Sequence, residues 1–165
     1  MASPLVQPAA AVQPAAVPQV RYADWGERVG ATLVDWGILI AALVVVSTVT
    51  GVGEALESLS ALAWFGLAGY LAWLNGSKGQ SPGKALMGLK VVRQADGSTL
   101  GGPVGLVRAL LLPVMFFLSA GILWTLAVLW PTWGRRRQAL HDKVVGASVL
   151  GGYPRAKFGK DIFRP

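Results

Sequence analysis

The chain has 165 residues, of which 53% are hydrophobic and only 14% are charged, and its formal net charge is +7. A soluble domain carries about 25% charged residues, so this composition predicts a membrane protein with room for one domain of a few membrane segments. Cysteine is absent, and the single histidine, His141, cannot hold a metal alone, so we expect no disulfide, metal or cofactor. A nucleic-acid partner is not expected either, because base contacts need a soluble reading surface.

Residues 1–21 are predicted to form a disordered tail. The first 20 residues carry no charge, and the sequence VQPAA occurs twice among them. Proline removes backbone donors and favours extended chain. The tail has neither a basic start nor an uninterrupted apolar core, so it is not expected to be a signal peptide. A membrane domain is predicted for residues 22–150, and a basic C-terminal tail for residues 151–165.

Two apolar segments, residues 25–50 and 55–74, are long enough for transmembrane helices, because about 20 residues cross the hydrocarbon core. The loop between them, residues 51–58, has no Lys or Arg and is therefore predicted to lie outside the cell. This orientation places the N-terminus in the cytoplasm and makes the two spans a hairpin. The connector that follows is predicted to lie inside because it is basic, with Lys78, Lys84, Lys90 and Arg93.

The connector SPGKALMGLKVVRQADGSTLGG, residues 81–102, has the signals of a short helix followed by a strand. Ser81 and Pro82 suit a helix start, and Gly88 suits its end. The run LKVV then has strand character, and ADGS, residues 95–98, is typical of a hairpin turn. We therefore expect a short helix and a small β-hairpin on the cytoplasmic surface, with an irregular polar loop as the alternative.

The third apolar segment, residues 104–133, conflicts with a simple topology. It holds about 30 residues, two full crossings need about 40, and a single crossing would put the basic residues that follow it outside. A helix that enters, breaks near residues 119–121 and returns resolves the conflict if protein shields the broken backbone; Pro113 is a further interruption. The alternative is three plain spans with the C-terminus outside. The predicted fold is thus an all-α membrane protein with two transmembrane helices, a third broken or re-entrant segment and the small connector.

Among the charges of the first span, Arg28 lies near its start and Asp35 lies two turns later. An unpaired charge inside a membrane is costly, so each needs a partner. Arg28 is expected to extend to the surface or to pair with Asp24 one turn earlier. Asp35 is expected either to be a structural clamp, bonded to Thr32 or to a facing helix, or to contact an ion or substrate.

The same span carries small residues at four-residue spacing, Gly26 with Gly30 and Gly37 with Ala41. Such spacing lets helices approach closely. It is common in glycine-rich membrane chains, so we assign it to packing within the chain rather than to a dimer.

The sequence GRRRQALHDKVV joins a basic membrane-surface cluster to a single acid, Asp142. One interpretation is an interfacial helix whose cations contact anionic lipid, each contributing about 1 kcal/mol. The other is that Asp142 folds back onto Arg28, which requires both residues on the cytoplasmic side, as the re-entrant topology provides. The cations of this cluster are Arg135, Arg136, Arg137 and Lys143.

These features together resemble the RDD family of bacterial membrane proteins, which is named for one arginine and two aspartates. Arg28 and Asp35 match the charges of the family's first helix, and Asp142 in RRQALHDKVVGASVL matches its late aspartate. The connector SPGKALMGLKVV also matches, and the resemblance covers about residues 22–150. It implies a small multi-pass protein of the bacterial plasma membrane. Some members are attributed cation/proton exchange, and others are small subunits of larger membrane assemblies.

Two functions are compatible with the sequence. The favoured one is an accessory or stabilising subunit of a larger membrane transport complex, in which Arg28, Asp35 and Asp142 form a folding clamp. The alternative is a transporter that works as an oligomer and moves a cation or small solute, with Asp35 as the ion-binding carboxylate. An enzyme is not expected, because no Ser/His/acid set, metal cluster or phosphate loop is present. The expected partners are the lipid bilayer and either another membrane protein or further copies of the chain.

Overall fold

The computed structural model describes residues 19–50, 54–159 and 162, so most of the predicted N-terminal tail lies outside the described residues. The chain is mostly helical and has one small sheet. A 3-10 turn, Trp130–Thr132, joins the last two helices. The elements in chain order are β1 (Arg21–Tyr22), α1 (Trp25–Thr50), α2 (Glu54–Ser77), α3 (Pro82–Met87), β2 (Leu89–Arg93), α4 (Gly102–Leu118), α5 (Ile122–Leu129), α6 (Leu140–Val144) and β3 (Ala147–Gly151).

The two long helices, α1 with 26 residues and α2 with 24, pack against each other. The indole N–H of Trp64 in α2 donates to the carbonyl of Leu39 in α1 at 3.1 Å. Within the described residues, one helix is long and apolar enough to cross a membrane, and it is α1 over Trp25–Thr48. The predicted second span corresponds to α2, whose first turns have no described side chains.

The third apolar segment is broken where the sequence predicted it. Helix α4 ends at Leu118, and α5 begins at Ile122 after Ala120 and Gly121 take positive φ angles of 47° and 88°. Pro113 lies inside α4 without ending it, so the predicted interruption at that residue is wrong. The two helices pack against each other across the break. The chain therefore turns back instead of continuing as one rod.

One hydrogen bond shows that the returning chain reaches the level at which α1 starts. The indole N–H of Trp25 in the first turn of α1 donates to the carbonyl of Val128 in α5 at 3.0 Å. Helix α6, which follows α5, contacts both α4 and α5. An edge-to-face pair of Phe116 and Trp124, with ring centroids 6.3 Å apart, joins α4 to α5 near the break.

The predicted β-hairpin is wrong, whereas the predicted helical class holds in its coarser form, because the chain is mostly helical with one small sheet in addition. Strand β2 pairs antiparallel with the distant β3, with Val91 opposite Val149, and β3 pairs antiparallel with β1, so the strand order is β1-β3-β2. The Asp-Gly turn does form, with the Arg93 amide donating to the Ser98 carbonyl at 2.7 Å. Too few residues separate it from α4 for a second strand, so β2 takes its partner from far along the chain.

The buried apolar core lies around this sheet and not between the long helices. Its members share near-zero exposure and come from the strands, from the start of α1 and from the connectors. By contrast, large apolar side chains of the long helices are exposed, as Leu33 is by 66% and Phe117 by 81%. The core residues are Ala23, Ala31, Leu89, Val91, Leu100, Ala147 and Val149.

Helix α2 approaches α4 closely at glycines that lie outside the predicted small-residue motif. A Cβ added to Gly76 in α2 would meet the carbonyl oxygen of Gly101 at 2.2 Å and the Gly105 nitrogen at 2.8 Å. Gly26 and Gly37 in α1 face open space, so the predicted packing role is wrong for these two. The α2–α4 crossing thus depends on glycine at both backbones.

The described part of the predicted C-terminal tail is attached to α3. The amide of Tyr153 donates to the Gly88 carbonyl at 3.1 Å, and the amide of Ala156 donates to the Ala85 carbonyl at 2.9 Å. Gly88 ends α3 in the left-handed conformation, at φ 65°, as the sequence predicted. The tail therefore covers the last turn of α3.

Candidate functional site

Asp142 is the centre of a buried ionic cluster and is itself fully buried. Its Oδ2 accepts from Nη1 of Arg28 at 2.7 Å, and its Oδ1 accepts from Nε of Arg108 at 2.7 Å. Both arginine side chains are only 12% exposed. The predicted contact between Asp142 and Arg28 is therefore present, and Arg108 is an additional partner.

The cluster joins the starts of three helices. Arg28 lies in the first turn of α1, Arg108 in the second turn of α4, and Asp142 in the first turn of α6. Helix α6 has only five residues, and the Asp142 carboxylate also accepts from the amide of Ala139, its N-cap residue, at 3.2 Å. One carboxylate thus starts α6 and fixes it to α1 and α4.

Burial would raise the pKa of Asp142, but the attraction of Arg108 and Arg28 outweighs it and holds that pKa well below its usual range. The carboxylate is therefore ionised at any physiological pH. Two cations face one anion, so the immediate surroundings carry an excess positive charge. Nε and Nη2 of Arg28 are buried with no hydrogen-bond partner among the described residues.

His141 lies beside this cluster, with its Nε2 3.5 Å from Oδ1 of Asp142. Burial first, and the positive charge of Arg108 second, lower its pKa to about 4. The imidazole is therefore neutral at pH 7. It contributes packing and a dipole there, but no charge.

Asp35 does not join this cluster, so the prediction that the three charges meet is wrong. Its carboxylate accepts from the hydroxyl of Ser81 at 2.6 Å and from the amide of Gly83 at 2.8 Å. These donors belong to the start of α3, so Asp35 caps that helix from α1. Of the partners predicted for Asp35, the facing element is the one observed, because Thr32 donates to the Arg28 carbonyl instead.

The capping contact requires a very close approach of α3 to α1. A Cβ added to Gly83 would lie 2.0 Å from the carbonyl oxygen of Ala31. Only glycine leaves room for that approach, which explains the use of the sequence SPG at this point. The Ser81 hydroxyl, predicted to cap α3, serves the Asp35 carboxylate instead.

Lys84 in α3 lies between the two carboxylate sites and is buried. Burial first, and the positive charge of Arg108 second, lower its pKa to about 8, while Asp35 and Asp142 partly oppose the shift. The Lys84 ammonium group therefore interacts with both the Asp35 and the Asp142 carboxylate. The start of α3 and the α6 cluster are therefore one electrostatic unit.

Arg108 and Lys84 are the members that the sequence prediction of the site missed. Arg108 is the one cation of its long apolar segment. An unpaired charge in such a segment is energetically costly, so the sequence already indicated that Arg108 needs a partner. No such signal was available for Lys84, because it stands in a polar connector, where lysine is normally exposed.

The predicted pair of Asp24 with Arg28 is not formed. Asp24 forms ion pairs with Arg21, at 3.3 Å, and with Arg137 instead. The Arg28 guanidinium is turned inward to Asp142, which also excludes the predicted extension to the surface. Asp24 therefore links the start of α1 to the basic loop after α5.

The predicted basic cluster does come together in space. Its four cations line an open groove of about 330 Å³ with Trp130, Gly134 and Gln138. Arg135, Arg136 and Arg137 are exposed. Nζ of Lys143 lies 4.8 Å from the centroid of the Trp130 ring, in a cation–π contact. Within the described ranges, no three His, Cys, Asp or Glu side chains lie together as a metal site would need.

Comparison with known proteins identifies related sequences in bacteria. The profile of the RDD family matches residues 22–146. A proline-rich antigen of Mycobacterium leprae is 33% identical over 92 residues, which cover 53% of this chain and 35% of that protein. A proline-rich antigen homolog of Mycobacterium tuberculosis is 28% identical over 156 residues, which cover 78% of this chain and 63% of that protein.

This chain therefore spans less than two thirds of the length of these relatives. No solved structure matches it. The matched residues include Arg28, Asp35 and Asp142, as well as Arg108 and Lys84. A family profile that covers residues 22–146, together with an apolar helix long enough to cross a membrane, shows that the chain is a membrane-associated member of the RDD family.

Proposed function

We propose that the chain is a multi-pass protein of the bacterial plasma membrane with its N-terminus in the cytoplasm. In this placement α1 and α2 cross the bilayer as a hairpin, and α4 and α5 enter from the cytoplasmic side and return to it. Support comes from the exposed apolar side chains of these helices, which suit contact with lipid tails. The sheet and the ionic cluster then lie at the cytoplasmic surface, where the basic residues of the connector favour them.

Within that membrane we propose the role of an accessory or stabilising subunit of a larger membrane complex. One observation carries the proposal: the acids that a transporter would use are already occupied by structural contacts. Asp142 accepts from two arginines, and Asp35 accepts from the Ser81 hydroxyl and the Gly83 amide. Neither carboxylate needs a further cation. Catalysis is not part of this proposal.

The test is affinity purification of the tagged full chain from its native membrane in a gentle detergent, followed by mass spectrometry. We expect one membrane-protein partner to be recovered reproducibly. Asp142→Asn, which removes the charge that joins three helices, should reduce recovery of that partner. Asp96→Asn, in the exposed turn after β2, is the matched control and should retain it. Recovery of the chain alone, or only as a homo-oligomer, would contradict the subunit role.

A second candidate function is cation/proton exchange by an oligomer, which the resemblance to the family suggests. The observation in its favour is Lys84, a buried amine near Asp35 whose pKa of about 8 lies within the range in which cells operate. Its protonation would change the charge beside the Asp35 carboxylate. Proteoliposomes that carry the full chain test this candidate. Asp35→Asn should abolish cation-driven proton flux, and unchanged flux in an active preparation would exclude it.

A further inference from the structure

The basic groove between the end of α5 and α6 has the size and chemistry of a small anion site. It encloses about 330 Å³, within the range of ligand pockets in proteins. Four cations line it, and among the described residues only Arg137 is paired with a carboxylate, that of Asp24. Arg135, Arg136 and Lys143 thus present positive charge to whatever occupies the groove.

The loop that forms the groove is held in a defined shape. Arg137 has a positive φ of 46°, which is uncommon for a residue with a side chain, and its amide donates to the Gly134 carbonyl at 2.9 Å. The next residue, Gln138, is buried and anchors the loop to the sheet. Its amide nitrogen donates to the Ala147 carbonyl and to the side-chain oxygen of Gln94, each at 2.7 Å. The cations are therefore arranged before any ligand arrives.

The surroundings of the groove favour a lipid over a soluble anion. Trp130 forms one wall, and Trp133, three residues later, is 71% exposed. Val144, which follows Lys143, is 65% exposed, and the large side chains of α5 are also exposed. Tryptophan beside a row of cations and an apolar helix is typical of the level of the lipid headgroups. A ligand that combines a phosphate with acyl chains meets both surfaces at once.

We propose that this groove binds the headgroup phosphate of an anionic glycerophospholipid from the cytoplasmic leaflet. Arg135 and Arg136 contact the phosphate oxygens, and Lys143, held over Trp130, closes the third side. The acyl chains lie along the exposed apolar face of α5. This inference rests on the proposed membrane placement. It makes the basic cluster a site for one lipid rather than a diffuse attraction to the surface.

The test is native mass spectrometry of the full chain, released from vesicles that contain equal amounts of phosphatidylcholine and phosphatidylglycerol. We expect the wild-type chain to retain one phosphatidylglycerol. The double variant Arg135→Gln/Arg136→Gln should weaken retention about 30-fold, at about 1 kcal/mol for each arginine. The matched control, Arg155→Gln/Lys157→Gln, removes the same charge from exposed residues outside the groove and should retain the lipid.

Each other outcome overturns the proposal. Equal loss in both double variants would mean a response to net charge alone. No loss in either, or equal retention of the two lipids, would mean that the groove has no selectivity. Displacement of the lipid by inorganic phosphate at millimolar concentration would assign the groove to a free anion. Carbonate extraction of the same membranes tests the membrane placement separately. A chain that stays in the membrane but shows no lipid selectivity would contradict the lipid site and leave the membrane placement intact.

Discussion

The long helices and the small sheet obey opposite rules of burial. Along α1, α4 and α5 large apolar side chains are exposed, whereas around the sheet apolar residues are buried together with Asp142, Lys84 and His141. In a water-soluble protein the first pattern is unfavourable and the second is rare, because charged residues are almost never fully buried unless they are paired. This difference is the one that the proposed membrane placement requires, with apolar helices against lipid and the charged module at their ends.

The largest expected effect comes from Asp142→Asn, which tests whether the module depends on its charges. The substitution leaves Arg28 and Arg108 buried without a counter-charge, and breaking a buried ion pair in this way costs about 3–5 kcal/mol. We expect a large fall in the thermal midpoint of the purified chain in detergent. Asp96→Asn, in an exposed turn, should change the midpoint little. Equal midpoints for wild type and Asp142→Asn would show that the cluster does not hold the helices together.

The buried state of His141 should make stability depend on pH. Because the folded state lowers its pKa from 6.5 to about 4, the unfolded chain binds the proton first. The neutral imidazole therefore contributes up to about 3 kcal/mol to the free energy of unfolding. This stabilisation is complete above pH 6.5 and is lost as the pH falls toward 4. Thermal midpoints measured across that range should show a shallower decline for His141→Gln than for wild type. An identical decline in both would contradict the buried neutral imidazole.

Two glycines of α2 differ in their surroundings, because Gly76 lies at the contact with α4 and Gly69 does not. Gly76→Ala should cost about 1–3 kcal/mol, because the new methyl group would overlap the backbone at Gly101 and Gly105. Gly69→Ala in the same helix faces open space and should be neutral or slightly stabilising. Thermal unfolding of the two variants side by side provides the comparison. Similar midpoints would mean that the two helices do not cross at Gly76.

The smallest effect is expected on the exposed apolar side of α1. Leu33→Ala removes a side chain that is 66% exposed and should change the free energy of unfolding by less than about 0.5 kcal/mol. Val91→Ala truncates a fully buried side chain of strand β2 and should cost about 1–3 kcal/mol. If Leu33→Ala were the more damaging of the two, that side of α1 would have to be packed against protein and not against lipid.

Local signals in the sequence were sufficient for several elements. The Ser-Pro start and Gly88 end of α3 act within a few residues, and so does the break at Ser119, Ala120 and Gly121. The pairing of Arg28 with Asp142 was also accessible, because both charges needed a partner and the returning third segment brought them to one side. In each case the residues near the feature, or the need of a charge for a partner, were enough to predict the structure.

Contacts that join distant parts of the chain could not be predicted from the sequence in the same way. The pairing of β2 with β3 and the crossing of Gly76 with Gly105 depend on where whole elements lie. Asp35 was expected to meet a cation, but neutral donors at the start of α3 satisfy it. A carboxylate accepts from a hydroxyl and an amide as readily as from a cation, so its residue type alone does not select the partner.

The chain has no native cysteine, so single cysteines introduced at Ser98, Arg136 and Arg155 can be labelled with a membrane-impermeant maleimide in intact cells and in inverted vesicles. All three positions are exposed, and the contact of Asp142 with Arg28 and Arg108 requires them to lie on one side of the bilayer. We expect all three to react only in inverted vesicles, and a fourth cysteine at Val52, between α1 and α2 in the sequence, to react only in intact cells. Labelling of position 136 from the side opposite to position 98 would contradict the account, because Asp142 could then not reach Arg28.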